Sequence, residues 1–185
     1  SGIVGFLIGV LAGIYKGSLF DKIIKIFCLA LQSAPTFWIG LLILSLFSVY
    51  LGWFPIGFAV PMGKLSLEIT IWDRIYHLIL PALTLSILGI SRVTLFTRQK
   101  LIEILNSDFI LFAKARGENT RQLVIRHGLR NIALPAITEQ FASFSELFGG
   151  IALAETVFSY PGLGTATTAA GLNGDVPLLL GIAIF

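Results

Sequence analysis

From about Ile26 to Leu51 the chain is apolar almost without interruption. That exceeds the roughly 20 residues a helix needs to cross the hydrocarbon core of a bilayer. Four other stretches share the character: Ile3 to about Tyr15, about Ile75 to Phe96, about Ile132 to Phe158, and a run that begins after Pro177 and reaches Phe185. Of the 185 residues 56% are hydrophobic and 12% charged, where soluble domains carry roughly 25% charge. Thirteen basic and ten acidic side chains cannot coat a water-soluble protein of this size, and mean hydropathy is +0.90. A disordered chain would lack the apolar residues, and a single cysteine, Cys28, excludes a disulfide scaffold. The expected fold is an all-α integral membrane protein, a polytopic helical bundle with about five spans visible. The first and last of these are truncated. Both are apolar all round, which favours spans over interfacial helices.

The chain opens at Ser1-Gly2 without an initiator Met and stops inside an apolar run at Ala183-Ile184-Phe185, so it reads as a fragment. No basic region precedes the first apolar stretch, so no signal peptide is read there. The connections between spans differ in basic residues. The first holds Lys16, Lys22 and Lys25; the second, 52–74, holds Lys64 and Arg74. The third, 92–131, holds Arg92, Arg98, Lys100, Lys114, Arg116, Arg121, Arg126 and Arg130; the last, 159–177, holds none. High and low alternate, as they must when successive connections lie on opposite faces. Lys and Arg mark the cytoplasmic side, so the first and third connections are expected inside and the others outside. Trp38, Trp53, Trp72 and Tyr76 read as interface aromatics, with Trp38 a candidate for burial.

Prolines punctuate the spans. Pro81 and Pro135 suit first-turn positions, where no intrahelical donor is lost, and Pro35 is expected to kink its helix. Both external connections are rich in Gly and Pro, which mark turns.

The segment 98–134 is the long polar insertion. Asn106-Ser107-Asp108 offers an N-cap before a helix over 109–116, and Gly117 stops it. Asn119 or Thr120 can cap a second helix from Arg121 to His127. The pattern predicts a basic, amphipathic helix–Gly–helix hairpin. Such an element lies on anionic lipid or docks into a groove of a partner protein.

Ala113-Lys114-Ala115-Arg116-Gly117, followed by Arg126-His127-Gly128-Leu129-Arg130-Asn131-Ile132-Ala133-Leu134-Pro135, resembles the EAA-type loop of ABC-importer permeases. More narrowly, the chain resembles the dipeptide/oligopeptide/nickel permease family. Three other stretches fit in register: Pro35-Thr36-Phe37-Trp38-Ile39-Gly40-Leu41, Leu80-Pro81-Ala82-Leu83-Thr84-Leu85, and Glu155-Thr156-Val157-Phe158-Ser159-Tyr160-Pro161-Gly162-Leu163-Gly164. One departure is plain: the Glu-Ala-Ala that names the loop falls on Leu111-Phe112-Ala113, so its acid is absent.

The resemblance implies a single transmembrane permease domain over 1–185, with 98–134 as its cytoplasmic coupling segment. It implies a multi-pass protein of a bacterial or archaeal cytoplasmic (inner) membrane. Implied partners are a second permease subunit, two cytoplasmic ATPase subunits, an extracytoplasmic solute-binding protein and membrane lipid, with no nucleic acid. Coupling falls to Ala113, Ala115, Arg116, Gly117, Arg121 and Arg126; anchoring to anionic lipid is the other reading of each Arg. The chain is expected to be no enzyme and to bind no cofactor or metal of its own. It has no G-x-x-x-x-G-K-[ST] loop, so ATP and Mg belong to the partner subunits.

Glu139, Gln140, Ser143 and Glu146 interrupt the fourth apolar stretch. On a continuous helix Glu139 and Glu146 are about 700° apart, nearly two full turns, with Ser143 on the same side. Glu155 falls on roughly the opposite face, near the outer end, where it can fix the external loop. Ionisable groups at bilayer depth face a pathway or a partner. Two readings stand: a polar lining of the translocation path, suited to a cationic or zwitterionic solute, and interhelical hydrogen bonding with protonated carboxyls. Glu146-Leu147-x-Gly149-Gly150 looks more like the nickel-type members, yet His77 and His127 form no metal cluster with a cysteine. The expected function is transport of peptides, nickel or metal-chelates. The alternatives are a channel or secondary transporter, which would commonly show inverted repeats, and an intramembrane enzyme, for which the nearest motif is Gly171-Leu172-Asn173-Gly174-Asp175.

Overall fold

The computed structural model describes residues 1–61, 63, 68–142 and 144–184, the side chains of 144–148 excepted. Every long regular element among them is helical. In order these are α1 (Gly2–Ile14), α2 (Leu19–Ser33), α3 (Thr36–Leu44), α4 (Ile71–Leu105), α5 (Asp108–Ala115), α6 (Thr120–Gln122), α7 (Leu129–Ala142), α8 (Phe144–Val157), α9 (Leu163–Asn173) and α10 (Val176–Ile184). Helix α3 runs on through a π-helical turn, Ser45–Tyr50, and a second one, Leu123–Gly128, joins α6 to α7. Among the described residues α4 alone is long and apolar enough to cross a membrane by itself, while α2 and α3 with its π turn qualify together. Helix α1 is apolar but shorter.

Two compact units emerge. The first comprises Ser1–Ser33 and Ile87–Phe144; the second comprises Ala34–Ser86 and Ser145–Phe185. In the first unit Gly5, Gly9 and Gly13 make one face of α1, four residues apart. A Cβ at Gly5 would lie 2.8 Å from the Ile90 carbonyl oxygen, and one at Gly9 would lie 2.6 Å from that of Thr94. Small residues allow this backbone approach where lipid gives helices no hydrophobic drive to associate. The Thr94 hydroxyl then donates to Gly5 O at 3.2 Å. Below this contact Val10, Leu101 and Ile132 form a buried cluster with Phe6, Ile14, Ile104, Leu105 and Leu129 packed around it.

In the second unit α8 and α9 pack closely at Gly164, where a Cβ would meet Ala152 Cα at 2.7 Å. Glu155, 8% exposed, accepts from Gly164 N at 3.3 Å and from Thr165 N at 2.6 Å. A carboxylate on the first-turn amides of α9 satisfies orphan donors and meets the positive end of the helix dipole. The suggestion that Glu155 fixes this connection therefore has a concrete form. His77 Nδ1 lies 2.9 Å from Gly57 O and 3.0 Å from Phe58 O. Since both partners are acceptors, Nδ1 carries the proton. Phe58 N donates to Phe158 O at 2.9 Å, which ties the 52–61 loop to the end of α8.

Four expectations need correction. Pro81 and Pro135 lie inside α4 and α7. Helix α4 starts earlier than the apolar run because Thr70 N donates to the Asp73 carboxylate at 3.0 Å, and α7 is the continuation of an upstream helix. Pro35 breaks the helix instead of kinking it: α2 ends at Ser33, and Pro35 sits at the N-cap of α3 with φ −61 and ψ 141. A proline lacks the donor to continue a helix and pushes the residue before it out of the helical region. Trp38 is exposed, not buried. The connection 159–177 contains α9, whose N-terminus the Glu155 carboxylate fixes.

Candidate functional site

The hairpin follows from local chemistry. Ser107 takes an extended conformation before α5. Beyond α5, Gly117 has φ +88, a left-handed conformation that costs an L-residue roughly 1–2 kcal/mol. It lets Glu118 N return to Ala113 O at 3.2 Å and close the helix end. Asn119 and Gln122 then form a reciprocal capping box, each bond 2.9 Å. From Thr120 to Ala142 the chain is helical throughout, passing through the π turn. Two contacts hold the limbs together: Glu118 Oε2 lies 3.1 Å from His127 Nε2, and the Phe109 and His127 rings meet edge-on at 6.3 Å. Ile110, Ala113 and Leu123 form the hairpin's own core against Ile104 and Leu105.

Of the residues assigned to coupling, Ala115, Arg116, Gly117, Arg121 and Arg126 are exposed, and Ala113 is buried in that core. Leu111 and Phe112, 56% and 67% exposed, stand where the sequence reading saw only a missing acid. The helical wheel places them with Ala115 on the face opposite Ile110 and Ala113. Helix α5 is therefore apolar on both sides, one turned into the protein and one outward.

Among the described residues two ion pairs join separate helices of the unit that carries the hairpin. Asp21 at the start of α2 is 3% exposed. Arg98 of α4 grips it with two nitrogens, Nη2 to Oδ2 at 2.8 Å and Nε to Oδ1, and Gly17 N donates to Oδ2 at 2.8 Å. The Arg98 hydrogen bond is the main reason the Asp21 carboxyl is pulled down to about 2. Burial opposes it, and the Gly17 amide and the charges of Arg98 and Lys25 reinforce it. Arg98 is correspondingly pushed up by Asp21. The second pair is looser: Arg92 Nε of α4 lies 3.9 Å from Glu139 Oε1 of α7, with the side chains 37% and 30% exposed.

The polar stripe is only partly brought together. Glu139 meets Arg92. Gln140 turns toward α1, where a Cβ at Gly2 would lie 2.7 Å from its Oε1, beside an apolar cavity of about 350 Å³ lined by Phe6, Val93, Ala136 and Phe141 among others. Ser143 and the Glu146 side chain lie outside the described residues. Arg92, counted from sequence with the inner connection, was missed as a partner; its place inside a long apolar helix was the available signal. No group of three or more His, Cys, Asp or Glu side chains able to hold a metal occurs among the described residues.

Residues 5–185 match the family described as binding-protein-dependent transport system inner membrane component. The chain is 37% identical over 150 residues to the oligopeptide transport system permease protein AppB of Bacillus subtilis, covering 81% of this chain and 46% of that protein. It is 35% identical to the di/tripeptide transport system permease protein DppB of Pseudomonas aeruginosa (97% and 58% covered). It is 33% identical to the dipeptide transport system permease protein DppB of Escherichia coli (96% and 58% covered). The chain thus spans about half the length of the curated relatives it matches. The all-helical architecture and the match along nearly the whole chain agree: this protein belongs to the binding-protein-dependent transport system inner membrane component family, whose members are polytopic helical membrane proteins.

Proposed function

We infer that the chain is the transmembrane permease subunit of a bacterial ATP-binding-cassette importer for peptides. It works in the cytoplasmic membrane with a second permease subunit, two ATPase subunits that bind ATP and Mg, and an extracytoplasmic solute-binding protein. The carrying observation is the capped hairpin of 107–128, standing on its own small core with an exposed basic turn. Helix α4 supports its placement on the cytoplasmic side. It continues seven residues, roughly 10 Å, past the Asp21–Arg98 pair, so the hairpin extends beyond the charged layer that ends the apolar stretch.

In this reading an ATPase grips the outward face of α5, and closure of the two ATPases pushes the hairpin. The force passes along the continuous helical rod from Thr120 to Ala142, so the membrane portion of α7 moves with the cytoplasmic contact. Peptides are favoured as cargo because the relatives above are named for peptide transport. Arg92 beside Glu139 also makes that spot unsuited to a bare divalent cation. The test is mild detergent extraction of the full-length protein, followed by reconstitution of whatever co-purifies. An ATPase that accompanies the chain and ATP-dependent peptide uptake are the expected results. Uptake driven by an ion gradient without an ATPase would identify a secondary transporter, and passive flux would identify a channel.

A further inference from the structure

We propose that the groove between the end of α1 and the helical run from Thr120 to Leu129 is a site for one anionic phospholipid, an acyl chain on its apolar floor and the phosphate on Arg121 and Lys16. The proposal rests on the placement of the hairpin on the cytoplasmic side. One wall of the groove follows from the way α1 ends. Tyr15 N donates to Leu11 O at 3.0 Å, Ser18 N turns back to Tyr15 O at 3.0 Å, and Gly17 takes φ +83 between them. Tyr15 and Lys16 are thereby left exposed where the chain leaves α1.

The groove has a volume of about 480 Å³, and its walls change character along its length. Val10, Ile14 and Leu129 line the inner part, beside the buried cluster of Val10, Leu101 and Ile132. Tyr15, Thr120 and Arg121 line the outer part, where α1 stops and the helical run begins. Arg121 precedes Leu129 by eight residues, about 12 Å along the run. That length carries the groove from hydrocarbon through a headgroup layer about 5–8 Å thick. Tyrosine suits the boundary between the two.

Charge decides what kind of molecule fits. Arg121 is a base in a groove lined by no acid, and Lys16, next to Tyr15 and exposed, adds a second base at the same end. The acids nearest to these bases in sequence are committed elsewhere, Asp21 to Arg98 and the Gly17 amide, and Glu118 to His127. The occupant is therefore apolar at its inner end and anionic at its outer end. A phospholipid of the cytoplasmic leaflet meets both demands: its phosphate matches the guanidinium fork, and that leaflet is rich in anionic lipid. Its acyl chain covers Ile125 and the Tyr15 ring, which are 53% and 59% exposed on this chain.

The experiment titrates the complete transporter in detergent with phosphatidylglycerol or with phosphatidylcholine of the same acyl chains, and counts bound lipid by native mass spectrometry. Phosphatidylglycerol is expected to bind more tightly. Arg121→Gln and Lys16→Gln should each weaken it about fivefold and leave phosphatidylcholine unchanged, while Arg121→Lys should keep most of the preference. Ile125→Trp fills the apolar wall and should weaken both lipids together; the two surface charge variants decide the matter alone where it does not assemble. Equal binding of the two lipids overturns the site, as does phosphatidylglycerol binding indifferent to both charge variants. A thiol placed by Ile125→Cys that stays shielded from reagent after delipidation also overturns it, because a neighbouring protein then fills the groove. The placement of the hairpin is tested separately: an Arg121→Cys thiol labelled by an impermeant reagent from outside intact cells would overturn that placement, whatever the lipid titration shows.

Discussion

Asp21 should make the first unit sensitive to acid in a way one substitution removes. Its carboxyl falls from 3.8 to about 2 in the folded protein, equivalent to about 2.5 kcal/mol of differential stabilisation of the charged form. The folded-state value is the depressed one. The contribution is therefore fully present above about pH 4 and is lost as pH falls toward 2, with roughly half gone by pH 3. Asp21→Asn removes this contribution and leaves Arg98, 13% exposed, without its counter-charge. Breaking one side of a buried pair costs about 3–5 kcal/mol, more than the pair's net worth, because the remaining charge stays desolvated.

The assay is thermal unfolding of the full-length protein in detergent at pH 7 and pH 3, wild type against Asp21→Asn. The variant should melt several degrees lower at pH 7, and the gap should narrow by about 1 kcal/mol at pH 3. Asp21→Asn combined with Arg98→Met should be less damaging than Asp21→Asn alone, since it removes the orphaned charge. A gap of the same size at both pH values would refute the assignment of the low carboxyl to Asp21. A double variant as unstable as the sum of the singles would refute the pairing.

Gly117→Val places a β-branched residue at φ +88 in open space, so strain of about 1–2 kcal/mol falls on the turn without a clash; the ratio of peptide uptake to ATP hydrolysis should drop while membrane insertion is kept. Gly9→Val puts a Cβ 2.6 Å from Thr94 O and should cost about 1–3 kcal/mol by prising α1 from α4, read as a lower melting temperature and faster proteolysis of the α1–α2 turn. Glu155→Gln keeps the acceptor but loses the charge on the α9 amides and should destabilise by about 1 kcal/mol, seen as faster hydrogen exchange at Gly164 and Thr165.

What could be read from sequence was what short-range chemistry decides. The hairpin is legible because each boundary has a local cause within four residues: Ser107 before α5, Gly117 after it, and the Asn119–Gln122 box before α6. The prolines misled for the complementary reason. An apolar run marks where a helix must be dry, not where it begins. Helix α4 therefore starts at a polar Thr70–Asp73 cap that lies outside its apolar stretch. Helix α9, rich in Gly, Ala and Thr, has no apolar period to announce it. Its N-terminus is satisfied by Glu155, at the other end of a left-handed Ser159 corner with φ +48. The Gly5, Gly9, Gly13 face was visible as spacing, but its meaning depends on α4 lying against it.

The candidate site divides along the same line. Counting charges by connection used Arg92 and Arg98 only as topological markers, and for orientation their sum was what mattered. In the structure they play separate parts. Arg98 is sunk into Asp21, and Arg92 faces Glu139 about 9 Å further along the helix. Their separation of six residues turns the two side chains to different faces of α4, so one helix can be anchored to α2 by the first and meet α7 by the second. Because α7 also ends the helical run that begins in the hairpin at Thr120, the coupling proposed above would bear on the Arg92–Glu139 contact. The Asp21–Arg98 pair, between α2 and α4, lies off that helical run.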